Sequence, residues 1–305
     1  MQSSLVEFSN NLADAVAQVG SFVIGVPEGG REGVSGTLWR DGIAVTAAHT
    51  IRGYDEVTVV LPSGEKSKAA VAGRDNGTDV AVLKLAQQTG SASLGNGAQP
   101  RIGEIVLAIG RRGTEGLAAT YGIISAIGGP WRTWQGARID RWLRLDLNPF
   151  TGFSGGPIVN ARGEVLGIAT SGPRRSVVTL PVSTVEGVVN QVLQHGRVSR
   201  GYFGIGVQPV AFPPGSFPEV ARQSLGTASD RGLLIVTIAP GSPAEKAGLL
   251  LGDIVVAIEG SPLHGMRSLQ AYLDSENVGK SVTVEIIRGG KLLKLPLTVG
   301  EKQES

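Results

Sequence analysis

The sequence predicts a mainly β protein of two domains, an all-β barrel or sandwich followed by a smaller unit mixing strands with two helices. Three observations predict it. The chain has 305 residues, 41% of them hydrophobic and 18% charged, enough for two packed cores and too little charge for a disordered chain. Its 45 glycines stand well above an average usage of about 7%, which fits many tight turns and therefore many short strands. β-rich runs bounded by turn signals fill the first two thirds, and after residue 200 the runs are interrupted by helical spacing. The expected division is a first domain at 1–197 with a short N-terminal segment, a linker at 198–201, a second domain at 202–299 and a polar tail at 300–305.

The elements follow in order. Residues 11–19 place Leu12, Val16 and Val19 at helical spacing. A β-rich run follows at Ser21–Val26. Gly33–Trp39 and Ile43–Thr46 flank Asp41-Gly42, a hairpin signal. Val57–Leu61 and Lys68–Ala72 flank the turn Pro62-Ser63-Gly64-Glu65. Further strands are predicted at Val80–Leu85, Ile105–Ile109, Gly122–Ala126, Trp142–Leu147, Pro157–Val159, Val165–Ala169 and Val177–Leu180. Val182–Gln194 switches to helical spacing, with Val185, Val188, Val189, Val192 and Leu193 on one face and Gly196 as its stop. In the second domain, strands are predicted at Ile205–Gln208, Leu233–Ile238, Ile254–Ile258, Val282–Arg288 and Lys291–Thr298. One helix there opens with Ser242 as N-cap, Pro243 at its first position and Glu245 completing a capping box. A second is predicted over Arg267–Ser275, and residues 211–230 form a polar insertion.

Composition removes several classes of function. There is no cysteine, so disulfides, thiolate zinc sites and a cysteine nucleophile are excluded. Lys plus Arg is 28 and Asp plus Glu is 26, a balance too even for a nucleic-acid partner. The cluster of Trp131, Trp134 and Trp142 with Arg132, Arg138, Arg141 and Arg144 therefore reads as a regulatory or substrate-contacting loop. No apolar stretch approaches the roughly 18 residues of a membrane span. The N-terminus has neither a basic nor an apolar leader region, which predicts the cytoplasm; a leader missing from the sequence would instead place the protein in the periplasm or cell envelope. Gly279-Lys280-Ser281 resembles the end of a phosphate-binding loop, but Asp274 stands where its first glycine belongs and a strand follows. No ATP, no metal and no other cofactor is predicted. Asn76-Gly77-Thr78 reads as a turn rather than a glycosylation site, and His195 as a cation at a helix C-terminus.

The residues that carry chemistry lie in three segments. Thr151-Gly152-Phe153-Ser154-Gly155-Gly156-Pro157 brackets a serine with glycines that can turn backbone N–H groups inward, as an oxyanion hole requires. Thr46-Ala47-Ala48-His49 ends a strand with one of only three histidines, and Thr78-Asp79 stands at the mouth of another strand. A nucleophile, a base and a group orienting the base are the needs of a triad. His49, Asp79 and Ser154 occur in that order, separated by 30 and 75 residues.

These segments resemble the three catalytic motifs of chymotrypsin-type proteases, and their setting resembles the bacterial high-temperature-requirement (HtrA/Deg) family. Gly201-Tyr202-Phe203-Gly204-Ile205-Gly206 and the segment 232–258 resemble that family's PDZ domain. The resemblance implies a chymotrypsin-like double β-barrel followed by a PDZ domain, and an ATP-independent serine endopeptidase acting on unfolded or misfolded proteins. It implies Ser154 as nucleophile, His49 as base, Asp79 as orienting carboxylate, and the N–H groups of Gly152 and Ser154 as oxyanion hole. Asn148 would lie at the base of the primary substrate pocket, with Phe150 and Ala169 beside it, giving cleavage after small aliphatic residues and not after Arg or Lys. Tyr202, Phe203, Gly204 and Ile205 would receive a peptide C-terminus, with Leu269 and Leu273 lining the side-chain pocket. Family trimers are built through the N-terminal segment, so a homotrimer packing Phe8 and Phe22 is implied. Two departures, Phe153 beside the nucleophile and the lead-in Asn148-Pro149-Phe150-Thr151, motivate an alternative: a weakly active or inactive PDZ-containing chaperone or binding protein.

Overall fold

The structure, a computed structural model, describes residues 4–28, 31–95, 99–112, 116–133, 136–148, 151–172, 177–213 and 231–301. The chain divides into two compact units, Met1–Val198 and Ser199–Ser305.

The first unit begins with α1 (Ser4–Gly20), whose inner side buries Ala15 and Val19. It starts seven residues before the predicted helix, because Leu5, Val6 and Phe8 on its first turns stay exposed and give no buried-face signal. Six strands then close into a barrel: β1 (Val23–Glu28), β2 (Arg31–Arg40), β3 (Ile43–Ala47), β4 (Glu56–Val60), β5 (Lys66–Asp75) and β6 (Val80–Leu85), in the order β1-β2-β3-β6-β5-β4. Alternation of Ile24, Leu38, Ala44, Val59, Ala69 and Leu83 fills its interior. A second six-stranded sheet follows. Its strands are β7 (Ile105–Arg111), β8 (Leu117–Gly128), β11 (Trp142–Asp146), β12 (Pro157–Asn160), β13 (Val165–Ser171) and β14 (Val177–Pro181), in the order β11-β8-β7-β12-β13-β14. Between them a small ribbon pairs β9 (Trp131–Arg132) with β10 (Arg138–Ile139). The end strands β11 and β14 lie against each other, so this sheet also curls into a barrel.

A further apolar cluster fills the seam between these two sheets. It takes Val45, Val80 and Val82 from the first, Ile109, Val159 and Ile168 from the second, and Val185, Val189 and Val192 from α2 (Val182–His195). Helix α2 ends where predicted, with Gly196 donating its N–H to the Val192 carbonyl at 2.8 Å. The Trp39 indole N–H donates to the Glu186 carboxylate at 2.6 Å, tying this helix to β2.

The second unit pairs β15 (Gly201–Tyr202) with β22 (Gly300–Glu301) and holds a five-stranded sheet. Its strands are β16 (Ile205–Ala211), β17 (Arg231–Ile238), β18 (Ile254–Ile258), β20 (Ser281–Arg288) and β21 (Lys291–Thr298), in that spatial order, with β19 (Ser261–Pro262) against β18. Helix α3 (Pro243–Lys246) has the predicted cap, Ser242 Oγ accepting from the Glu245 N–H at 3.3 Å. The Glu245 carboxylate takes the Gly241 N–H at 2.6 Å rather than that of Ser242. The helix predicted over Arg267–Ser275 is corrected: α4 (Met266–Gln270) stops early and continues as 3-10 turns at Ala271–Leu273 and Ser275–Asn277. Tyr272, whose hydroxyl donates to the Ile258 carbonyl at 2.9 Å, anchors that tighter segment.

Candidate active site

The first barrel supplies two site residues from adjacent strands. β3 and β6 pair with Ala47 opposite Val80, so the residues just beyond these ends are neighbours. A single 3-10 turn, Ala48–Thr50, carries His49. Asp79 precedes β6 in the left-handed region, at φ +63°, which Asp tolerates better than most residues. Its conformation is held from several sides. The Ala48 N–H donates to its carbonyl at 3.0 Å and the His49 N–H to its Oδ1 at 2.8 Å. The turn before it is shaped by buried Asp75, which accepts from the Gly77 N–H at 3.0 Å and the Thr78 hydroxyl at 2.7 Å.

The two side chains meet: His49 Nδ1 lies 2.7 Å from Asp79 Oδ2, and the Thr170 hydroxyl donates to the same oxygen. Burial alone would raise the Asp79 pKa. The hydrogen bonds from His49 and Thr170, with the His49 charge, outweigh it and hold the carboxyl below its ordinary range. An ionised Asp79 fixes the proton of neutral His49 on Nδ1 and leaves the lone pair on Nε2. The His49 side chain keeps 35% of its exposure, so the ring can meet a substrate.

The second sheet supplies Ser154, on the loop entering β12. Gly152 and Gly155 take φ of +98° and +85°, and a Cβ on Gly155 would stand 2.2 Å from the Ser35 carbonyl. Only glycine fits a backbone that close. The loop is gripped from two strands. From β2, the Ser35 hydroxyl donates to the Gly152 carbonyl at 2.7 Å, the Ser35 N–H to the Ser154 carbonyl at 3.0 Å and the Thr37 hydroxyl to the Gly155 carbonyl at 3.0 Å. From β13, the Ala169 carbonyl accepts from Gly155 and its N–H donates to Gly156, both at 2.8 Å. The Gly152 and Ser154 N–H groups donate to no other group among the described residues. The Ser154 hydroxyl lies 3.2 Å from that of Ser171.

Phe153 points away from this chemistry. It is buried at 4% exposure among Val106, Ala108, Ile124, Ile158 and Leu166, so the bulky side chain is core. Asn148 is exposed, two residues beyond the end of β11. Ala169 is buried against the Ser154 loop, and Phe150 lies outside the described residues. Of the tryptophans, Trp131 packs on the core, Trp142 is exposed and Trp134 is outside the described residues. Sequence reasoning missed Ser35, Thr170 and Ser171. Only their hydroxyls at strand positions flanking the motifs could have drawn attention.

In the second unit β16 stands at the end of the sheet among the described residues, the position at which a peptide strand can be added. The N–H groups of Phe203 and Gly204, just before it, donate to nothing among the described residues. Phe203 and Leu269 are buried in one cluster against which Ile205 and Leu273 pack half-buried. Leu273 sits in a 3-10 turn, not one helical turn beyond Leu269 as predicted. Tyr202 is half-buried in β15.

Residues 34–168 match the trypsin-like peptidase domain family and residues 201–299 the PDZ domain family. Serine endoprotease DegS of Haemophilus influenzae is 30% identical over 273 residues, 86% of this chain and 75% of that protein. A probable periplasmic serine endoprotease of Rhizobium meliloti, DegP-like, is 34% identical over 271 residues, covering 86% of this chain and 52% of its own. The chain thus spans about half the length of the DegP-like relatives. Among solved structures, the HtrA-type protease AlgW with a decapeptide superposes at a TM-score of 0.74 and 25% identity, covering 96% of this chain and 99% of that one. The serine endoprotease from Yersinia pestis gives 0.74 at 27% identity, covering 95% and 98%.

Proposed function

The chain belongs to the HtrA-type serine endoproteases, and from that premise we propose that it cleaves unfolded or misfolded proteins without ATP, through Ser154, His49 and Asp79. The observation that carries the assignment is the 2.7 Å contact between His49 Nδ1 and Asp79 Oδ2, made beside a glycine loop in which the Gly152 and Ser154 N–H groups have no acceptor among the described residues. Ser154 Oγ attacks the scissile carbonyl while His49 Nε2 takes its proton. The oxyanion is received by the N–H groups of Gly152 and Ser154. His49 then protonates the leaving amine, the acyl group stays on Ser154, and a water deprotonated by His49 releases it. Asp79 stays ionised throughout and holds the ring.

The PDZ unit binds peptide C-termini in this reading, with the carboxylate on the Phe203 and Gly204 N–H groups and the peptide added as a strand along β16. Such C-termini recruit clients in this reading, and their binding gates the catalytic loops. Several relatives are named periplasmic, which supports a place in the periplasm or cell envelope. A homotrimer through the N-terminal segment is part of the proposal. So is cleavage after small aliphatic residues, since none of Asn148, Phe150 and Ala169 offers a negative charge to pair with a substrate Arg or Lys. The chaperone-only alternative loses its main motive, since Phe153 is core.

The test is digestion of casein and of a stably folded protein, with the new termini mapped. Casein cut after small aliphatic residues, with the folded protein spared, is the expected result. Cuts mainly after Arg or Lys would overturn the specificity, and an intact casein would overturn the function.

A further inference from the structure

The Ser154 hydroxyl has a neighbour for which the triad has no use, the Ser171 hydroxyl at 3.2 Å. We propose that Ser171 is a positioning residue that holds the nucleophile at rest, in an orientation given up on attack. The inference rests on the reading of Ser154 as nucleophile.

The backbone builds this arrangement. The two hydrogen bonds joining Ala169 to Gly155 and Gly156 fix the end of β13 against the nucleophile loop. Successive residues of a strand point to opposite sides. Thr170 is buried and reaches Asp79, whereas the exposed Ser171 reaches Ser154. One strand end therefore touches two members of the triad with adjacent hydroxyls.

The chemistry sets the sign of the effect. Ser154 Oγ carries one proton. If it donates that proton to Ser171, the bond must break before His49 can take it. If Ser171 donates instead, it occupies a lone pair of the attacking oxygen. After attack that oxygen has lost its proton to His49, has formed the new C–O bond and is a weaker acceptor. In either assignment the contact is stronger at rest than in the transition state, and such a contact slows the step. At 3.2 Å the bond is long for two hydroxyls, so its removal should speed acylation by roughly twofold to fivefold.

The experiment compares rates of fluorophosphonate labelling for the wild type, Ser171→Ala, Ser171→Thr and Ser154→Ala, with casein kinetics on the same proteins. Ser171→Ala is expected to label faster by that factor, raise kcat and leave KM unchanged. Ser171→Thr, which keeps the hydroxyl, should label at the wild-type rate. Ser154-dependent labelling that is equal or slower in Ser171→Ala would overturn the positioning role alone. Labelling that persists in Ser154→Ala, or none in any protein, would overturn the nucleophile assignment and this inference with it.

Discussion

The two halves of the catalytic unit deliver their residues by different means. The first barrel places His49 and Asp79 by register, since β3 and β6 are paired along their length and the two residues cap neighbouring ends. The second sheet delivers Ser154 on a loop whose shape depends on partners from elsewhere, above all Ser35, which is 117 and 119 residues away from the carbonyls it reaches. Register follows from the alternation of buried side chains, so the base and its orienting carboxylate come almost free with the barrel. The nucleophile loop instead needs specific hydroxyls and glycines. Substitutions in the first half should therefore strike chemistry, and those around the second should strike the loop's conformation.

Five changes would break or sharpen that contrast. The largest effect is expected from the triad itself. Ser154→Ala should lower kcat by roughly 10⁵-fold or more, and Asp79→Asn by roughly 10⁴-fold, with thermal stability nearly unchanged for the serine. Casein turnover checks both. Next comes Phe153→Ala, which leaves a cavity beside Ile124 and Ile158 and should cost about 3–5 kcal/mol in denaturant unfolding. A small loss there would contradict its place in the core. Ser35→Ala follows. It removes the bond to the Gly152 carbonyl and the acceptor of the Arg111 N–H at 2.9 Å, a loss of about 1–3 kcal/mol, and labelling by a fluorophosphonate should fall while the His49–Asp79 pair persists.

The smallest effect is a shift in pH dependence. Asp79 has a folded pKa below its ordinary value. It thus contributes stability that is present above the unfolded pKa, about 3.9, and lost as pH falls through the lower folded value. Thr170→Val removes one of the bonds that hold the value down, so its acid-unfolding midpoint should move to higher pH. An unchanged midpoint would mean that the Thr170 hydroxyl contributes nothing to Asp79.

The same contrast decides what was legible in the sequence. β6, β18 and β21 fall within their predicted bounds because turn-forming residues stand at their edges: Asp79 before β6, Asp253 and Glu259-Gly260 around β18, and Gly289-Gly290 before β21. β8 runs to twelve residues where five were predicted, since Leu117, Tyr121 and Ile123 face outward and hide the alternation. The order His49, Asp79, Ser154 was readable because each stands in a short, unusual segment. Ser35, Thr170 and Ser171 were not, because a hydroxyl in a strand has no local mark and gains its role only when β2 and β13 fold over the Ser154 loop. The pocket was read from spacing alone, with Asn148 six residues before Ser154, and spacing does not carry the path of a loop.

The most direct test of the central claim is fluorophosphonate labelling of the wild type and Ser154→Ala, followed by identification of the modified peptide. A single adduct on Ser154, absent from the variant, is the result predicted for a nucleophile activated by His49 and Asp79. An adduct on another serine, or equal labelling of the two proteins, would contradict it.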